Sequence, residues 1–165
     1  MSISADTFKN TLRLFPAGVT VVTIKTGEET HGLTVSAFVS VSAEPPLIAV
    51  AIDGRNRGHE MLENSDAVFA VNFLNESQSA LSNNFAWGDH DRFAASGVEW
   101  KTAVTGAPIL ADALAYLDCT VYSRTRMGSH TLYIGEVQAS EVNEDQNPLV
   151  YYNRAYQGVH TIDKE

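Results

Sequence analysis

Cysteine, basic residues and long apolar runs are all scarce in this sequence of 165 residues. The single cysteine, Cys119, excludes an internal disulfide and a zinc site built from cysteines. Only 11 Lys and Arg residues stand against 20 Asp and Glu, which gives a formal net charge of -9. We expect no nucleic-acid partner, because nucleic-acid binding needs a basic face that neutralises phosphates. No run approaches the roughly 20 apolar residues of a membrane span, and no signal-like start is present, so we expect a soluble, cytoplasmic protein.

Several motifs that carry chemistry are also missing. The sequence has no G-x-S-x-G elbow, no phosphate-binding P-loop and no G-x-G-x-x-G fingerprint. The histidines show no metal-binding spacing, and Asp89-His90-Asp91 is interpreted as a solvated loop rather than a cation site. Hydrolases, kinases and dinucleotide-fold dehydrogenases are therefore disfavoured, and we predict no metal site.

The content and order of predicted elements indicate a mainly β fold. Hydrophobic residues make up 44% and charged residues 19% of the chain, as in an ordinary folded domain. We predict one domain over residues 1–165, with about seven strands, a few short helices and short turns. This pattern favours an antiparallel barrel, because the strands do not alternate regularly with helices. The predicted strands cover 19–25, 47–52, 67–74, 98–104, 114–125, 130–141 and 149–152, the predicted helices 4–15, 58–63 and 75–85, and a loop 86–97.

The most informative stretch runs from His31 to Pro46. It alternates like a strand, and residues two apart share a face of a strand. Thr34 and Ser36 therefore place two small hydroxyls on one face, while Ala37 keeps the opposite face thin. A flat, polar-edged ring would fit on this surface, but a half-exposed strand rich in Thr and Ser explains the pattern equally well.

Two arginine pairs are candidates for binding an anion, since the guanidinium fork matches phosphate oxygens. Arg55 and Arg57 follow a predicted buried strand and Gly54, where backbone can approach a ligand closely. Solvated arginines balancing nearby acids are the alternative. For Arg124 and Arg126, at a predicted hairpin tip, the two interpretations are equally supported.

Two further groups of residues suit a nucleotide site. His130, after a turn, can donate a hydrogen bond or carry a proton near neutral pH, although an exposed turn histidine is the simpler interpretation. Tyr152, Arg154 and Tyr156 share a face if the last strand continues. Stacking on a flat ring and ordinary core packing both explain these tyrosines.

Taken in order, these features resemble the flavin reductase family with the FMN-binding split barrel, which includes the reductase components of two-component flavin monooxygenases. The resemblance spans about residues 8–158, and no single motif carries it. The matching segments are Phe15–Thr23, Gly32–Phe38, Ser42–Pro46, Phe69–Leu74, Phe85-Ala86 ahead of Arg92-Phe93, Gly128–His130 and Pro148–Tyr152.

The resemblance implies an antiparallel split barrel, a homodimer and an NAD(P)H:flavin oxidoreductase that supplies a partner monooxygenase. It implies FMN or FAD as the flavin and NADH or NADPH as the hydride donor, with His130 near the nicotinamide. Cofactor contacts are implied for Leu33, Thr34, Val35, Ser36, Ala37, Asp53, Arg55, Asn56, Arg57, Phe85, Ala86, Tyr152, Arg154 and Tyr156.

The chain departs from the family pattern at two places. Asn56 and Arg57 stand in a phosphate loop that often carries Ser and Thr hydroxyls, and Ser129 replaces the acid of the common Gly-Asp-His turn. Three alternatives stay open: another FMN-dependent split-barrel enzyme that resembles the pyridoxamine phosphate oxidases, a non-enzymatic flavin-binding protein, and a barrel for an apolar ligand.

Overall fold

The computed structural model describes residues 3–87 and 91–160. Asp89 and His90, in the loop interpreted above as solvated, lie outside the described residues. The helices are α1 (Ala5–Leu12), α2 (Arg57–Leu62), α3 (Ser79–Ala86) and α4 (Arg92–Ser96). The strands are β1 (Ala17–Gly18), β2 (Thr20–Thr26), β3 (Glu29–Val35), β4 (Phe38–Ala43), β5 (Pro46–Asp53), β6 (Val68–Phe73), β7 (Trp100–Lys101), β8 (Ile109–Leu110), β9 (Ala115–Met127), β10 (His130–Val142), β11 (Val150–Tyr152) and β12 (Ala155–Gln157).

Seven strands form one antiparallel sheet in the order β3-β2-β6-β9-β10-β5-β4. The sheet curls without closing, which confirms the predicted antiparallel split barrel. β2 and β3 form one antiparallel hairpin, and β9 and β10 form the hairpin predicted around Arg124 and Arg126. β1 pairs with β11 and β11 with β12 in a small second sheet, and β7 pairs with β8.

The two edge strands of the large sheet are consecutive in sequence. β3 ends at Val35 and β4 begins at Phe38, so only Ser36 and Ala37 separate them. Both of these residues are exposed, and the backbone N–H of Ala51 donates to the Ala37 carbonyl at 3.0 Å. The chain therefore bends from one edge of the sheet to the other at the split in the barrel.

The core lies inside the curl of the sheet, where apolar residues of β2, β3, β5, β6 and β9 meet Tyr133 of β10. Tyr133 is fully buried, and its hydroxyl donates to Glu63 Oε1 at 2.7 Å. Cys119 is also fully buried. Desolvation, and secondly the Asp118 carboxylate, raise the pKa of its thiol to about 12, which keeps the thiol protonated near neutral pH.

Helix α1 forms where predicted, although it ends at Leu12, three residues earlier than expected. The Ser4 hydroxyl caps it by accepting from the Thr7 N–H at 3.1 Å. None of its residues is buried: Phe8 and Leu12 are each 51% exposed. The apolar side chains of α1 therefore have no core to pack against among the described residues.

The predicted loop 86–97 is only partly a loop. Asp91 Oδ1 accepts from the N–H groups of Phe93 and Ala94, each at 3.1 Å, and so caps α4. Gly97, with φ 66°, ends the helix in the left-handed conformation. These two signals were present in the sequence, but a helix of five residues is too short to show periodicity.

No helix among the described residues is both long and apolar enough to cross a membrane.

Candidate active site

Three cavities meet at Ser36. We call the largest, of about 670 Å³, the basic cavity, because Lys9, Arg13 and Arg154 line it beside Ser36 and Ala37. The tyrosine cavity, of about 340 Å³, is lined by Ser36, Thr34, Ala86, Arg154 and Tyr156 among others. A third cavity of about 330 Å³ extends from Ser36 toward Leu149.

The alternation of β3 produces this surface. Leu33 and Val35 are buried in the core, so their side chains lie on the far side of the strand from Thr34 and Ser36. Thr34 is half-buried and Ser36 is exposed. The predicted hydroxyl face therefore borders the cavities, whereas Leu33 and Val35 can reach a ligand there only through their backbone.

A chain of hydrogen bonds forms one wall of the tyrosine cavity. The Thr34 hydroxyl donates to the Ser82 carbonyl at 2.6 Å. The Tyr156 hydroxyl lies 2.9 Å from both Ser82 Oγ and Asn83 Oδ1. Since a phenol has one proton and the amide oxygen only accepts, Tyr156 donates to Asn83 and accepts from Ser82. These bonds join β3, α3 and β12 around the cavity.

Phe85 and Ala86, adjacent in sequence, have different surroundings. Phe85 is 1% exposed and packs edge-to-face with Phe93 and Trp100, with ring centroids 5.4 and 5.6 Å away. Its ring lies against Gly32, where an added Cβ would stand 2.4 Å from Cε1. The structure therefore brings Ala86 to the tyrosine cavity and holds the Phe85 side chain in the core behind it.

The predicted phosphate loop lies at the end of β5, and its polar groups are already engaged. Arg55 pairs with Asp53 through Nε–Oδ1 at 3.1 Å and Nη2–Oδ2 at 2.7 Å. Hydrogen bonds from Arg55 hold the pKa of Asp53 well below its usual range. Arg57 pairs with Glu29 at 3.1 Å, and Asn56 Oδ1 accepts from the Gly58 N–H at 2.8 Å, which caps α2.

His130 begins β10 directly opposite Asp53 of β5. It is exposed, and its Nδ1 lies 3.0 Å from Ser129 Oγ. Beside it, Arg126 Nη1 stands 3.6 Å from the position that a Cβ on Gly54 would take. The structure thus places His130 with the predicted phosphate loop rather than among the residues that line the Ser36 cavities.

Most of the predicted residues consequently fall into two neighbouring groups. Thr34, Ser36, Ala37, Ala86, Arg154 and Tyr156 line the Ser36 cavities. The second group lies at the end of β5 and consists of Asp53, Arg55, Asn56, Arg57 and His130. Tyr152 belongs to neither group, since it is 39% exposed and lines none of the three cavities. The two groups are close together. Ala51, whose N–H donates a hydrogen bond to the Ala37 carbonyl at the seam, is two residues from Asp53, a separation of about 7 Å along β5. An elongated ligand can therefore span both groups.

His31 lies behind the loop group, and its Nε2 is buried without a hydrogen-bond partner among the described residues. Burial, and then the nearby charge of Arg92, lower the pKa of His31. A hydrogen bond with Asn56 acts in the opposite direction, and Arg57 lowers the pKa further. The net lowering of the pKa favours the neutral form of the His31 imidazole.

The cavities are also lined by four residues that were not among the predicted site residues: Lys9, Arg13, Trp87 and Tyr151. The only sequence signal was the spacing of Lys9 and Arg13, four apart on a predicted helix. Nothing in the sequence showed that α1 would lie beside the C-terminal hairpin.

The protein is thus a small split-barrel β protein whose seam opens into cavities lined by hydroxyls and cations. A family model described as flavin reductase like domain matches residues 12–160. The chain therefore belongs to the flavin reductase family.

Individual relatives agree with this assignment over nearly their whole length. The chain is 38% identical to the reductase component of 4-hydroxyphenylacetate 3-monooxygenase from Thermus thermophilus, over 92% of this chain and 94% of that protein. It is 39% identical to the reductase component of the FADH(2)-dependent resorcinol hydroxylase from a Rhizobium species, over 90% of this chain and 84% of the relative. The NADH:FAD oxidoreductase SgcE6 of Streptomyces globisporus, solved with NAD and FAD fragments, is 29% identical with a TM-score of 0.85, and the match covers 100% of both chains.

Proposed function

We propose that this protein is an NAD(P)H-dependent flavin reductase that supplies reduced flavin to a partner monooxygenase. The observation that carries the proposal is the seam at Ser36 and Ala37, where the exposed edge of β3 opens into three cavities. Family membership supports the reaction type, and the reductase components among its relatives support the role beside a monooxygenase.

The residues at the seam fit a flavin. Ala37, Ala49 and Ala51 make a thin apolar floor in the basic cavity, on which a flat tricyclic ring can lie. Ser36 adds a hydroxyl, which suits the polar edge of the ring. A bound flavin would supply N5 as the hydride acceptor and the reduced nicotinamide would supply the hydride from C4, so the redox chemistry would belong to the two nucleotides.

The protein contributes position and exclusion of water. Holding two rings face to face replaces a rare encounter in solution with an oriented one. Thr34, Ser82 and Tyr156 keep the wall of the tyrosine cavity in one place through their hydrogen bonds. Phe85 supports that wall from the core.

The loop at the end of β5 is proposed to hold the flavin phosphate. It lies about 7 Å along the strand from the seam, within reach of a ribityl chain. Arg55 would turn from Asp53 to the phosphate, while Asn56 and Arg57 complete the loop. His130, opposite Asp53, is proposed to orient the nicotinamide nucleotide by donating a hydrogen bond, since hydride transfer needs no general acid.

The functional unit is proposed to be a homodimer. Five apolar side chains are each more than half exposed. Phe8 and Leu12 lie on α1, Phe15 lies in the turn after it, and Val39 and Val41 lie on the edge strand β4. An unpartnered apolar surface and a free strand edge of this kind are typical of surfaces that pair. Residues 1–165 are proposed to form one domain. The protein is proposed to act in the cytoplasm, where reduced nicotinamide nucleotides are held.

The deciding experiment follows the nicotinamide absorbance of NADH and NADPH with purified protein, with and without FMN, FAD or riboflavin. Oxidation that depends on added flavin is the expected result. A yellow protein that does not oxidise either nucleotide would instead be a flavin carrier. A colourless protein without flavin affinity would leave only a barrel for an apolar ligand.

A further inference from the structure

The basic cavity has a charge opposite to that of the whole protein. Its lining residues include Lys9, Arg13 and Arg154 but no Asp or Glu. The chain as a whole has 20 Asp and Glu against 11 Lys and Arg. Three positive charges and no carboxylate around one cavity therefore mark a local site for an anion.

Two distant parts of the chain assemble this cluster. Lys9 and Arg13 are four residues apart at the end of α1, so they share one face. The hairpin between β11 and β12 brings Arg154, whose Nη2 lies 3.2 Å from Asn10 Oδ1. The backbone N–H of Asn153 donates to the Arg13 carbonyl at 2.8 Å and fixes the hairpin turn against the chain after α1.

The three cations are available to a ligand. Ion pairs among the described residues join Arg55 to Asp53, Arg57 to Glu29 and Lys101 to Glu141. None of these pairs involves the cluster in the basic cavity. An anion bound there meets three cations that form no ion pair with any described carboxylate.

The backbone at Arg154 also points to a role for its side chain. Asn153 and Arg154 have φ of 49° and 66°, as the two central residues of a tight hairpin require. Gly or Asn is favoured at such positions, and a long side chain in this region costs about 1–2 kcal/mol. The sequence nevertheless has arginine at this position, which indicates a role for the guanidinium of Arg154.

From this arrangement we propose that Lys9, Arg13 and Arg154 bind the diphosphate of a dinucleotide reactant. The inference rests on the proposed function and extends it, because it adds a second anion site to the flavin-phosphate loop. The cavity joins an apolar floor at Ala49 and Ala51 to a cationic rim, and its volume of about 670 Å³ suits a nucleotide-sized ligand. The diphosphate is that of NAD(P)H, because the flavin phosphate, which is also the first phosphate of FAD, is assigned to the loop at the end of β5.

The direct test is a titration with ADP-ribose, which has the diphosphate but no redox ring. We expect the exchange Lys9→Gln/Arg13→Gln to weaken ADP-ribose binding about tenfold, since bonds to charged groups are the stronger class. The swap Lys9→Arg/Arg13→Lys should retain most of the affinity. Lys25→Gln/Lys101→Gln, which removes the same charge elsewhere, should leave it unchanged.

Kinetics and flavin titrations then identify the reactant. If the diphosphate is that of NAD(P)H, Lys9→Gln/Arg13→Gln raises the KM for NADH with riboflavin as acceptor, while kcat stays within about twofold. If the same variant instead loses affinity for FAD and not for FMN, the cluster binds the diphosphate of the flavin itself, and the assignment to NAD(P)H is overturned.

The proposal is overturned if the wild-type protein does not bind ADP-ribose, or if the Gln variant and the Lys25→Gln/Lys101→Gln control bind it equally. It is also overturned if the Gln variant changes only the oligomeric mass, because the cations would then serve the subunit interface. The titration needs no turnover, so a wild-type protein that binds ADP-ribose but oxidises no NADH refutes the reductase proposal alone.

Discussion

The hydroxyl of Tyr156 lies 2.9 Å from Ser82 Oγ and thereby joins the C-terminal hairpin to α3. The Ser82 carbonyl accepts from Thr34, so a residue near the end of the chain stabilises the strand that borders the candidate flavin site. The shape of the seam therefore depends on three segments distant in sequence.

Replacing Tyr156 by Phe should loosen this wall. The change removes one hydroxyl that serves two partners, and we expect the free energy of unfolding to fall by about 1 kcal/mol. Flavin affinity should fall with it, because the wall of the tyrosine cavity becomes less ordered. Urea unfolding and a flavin titration measure the two effects. Unchanged flavin affinity at reduced stability would confine Tyr156 to a structural role.

Ser36→Val tests the seam itself. Ser36 is exposed, so the larger apolar side chain should leave the fold intact while it narrows all three cavities. We expect at least about tenfold weaker flavin binding, because the ring loses both room and a hydroxyl. Ser40→Val, at an exposed position in β4 outside these cavities, is the matched control. Equal flavin affinity in both variants would argue against a flavin at the seam.

His130→Ala tests the proposed contact with the nicotinamide nucleotide. The loss of one hydrogen bond should raise the KM for NADH about threefold to tenfold and change turnover less. His160→Ala, another exposed histidine, controls for the general effect of removing an imidazole. If steady-state kinetics gives the same KM and kcat for His130→Ala as for the wild type, the role assigned to His130 is wrong.

Gly32→Ala should destabilise the protein although it adds only a methyl group. The new Cβ would stand 2.4 Å from the Phe85 ring, and Phe93 and Trp100 hold that ring in place. Overpacking of this kind costs about 1–3 kcal/mol, measurable by urea unfolding. Gly18→Ala, where nothing lies within 4 Å of the new Cβ, should cost much less. A similar decrease in the free energy of unfolding for both variants would show that the Phe85 ring moves aside at little cost.

His31 should make stability fall as the solution becomes acidic. Burial and Arg92 lower its pKa in the folded protein below the ordinary 6.5, so the unfolded chain takes up the proton more readily. The contribution of His31 to the free energy of unfolding is therefore complete above pH 6.5, the pKa of an unfolded histidine. It decreases as the pH falls from 6.5 toward the lower pKa of His31 in the folded protein. His31→Gln should show a shallower decrease in thermal midpoint over this pH range. Parallel curves for both proteins would contradict this account.

Local sequence patterns predicted most of the strands, because their signals lie within a few neighbouring residues. The alternation around Thr34 and Ser36 and the turn at Gly128 gave the β3 face and the β9–β10 hairpin with small errors in their ends. Helix α4 was missed, since five residues are too few to show a helical period.

The candidate site was less predictable than the fold. The sequence indicated Arg55 and Arg57 as anion-binding residues, but it could not show that Asp53 and Glu29 already pair with them. Phe85 shows the same limit, because its burial depends on the ring cluster with Phe93 and Trp100, which assembles from α3, α4 and β7.

The sequence by itself determined which face of each strand is apolar, where the chain turns and that small hydroxyls follow His31, since periodicity and turn chemistry are local properties. Only the tertiary structure decided that Ser36 lies where the two edges of the sheet approach, and that Lys9, Arg13 and Arg154 share one cavity. The physical reason is that such sites are made by contacts between segments that are far apart in sequence, in some cases near opposite ends of the chain. No local pattern encodes which of these segments will meet.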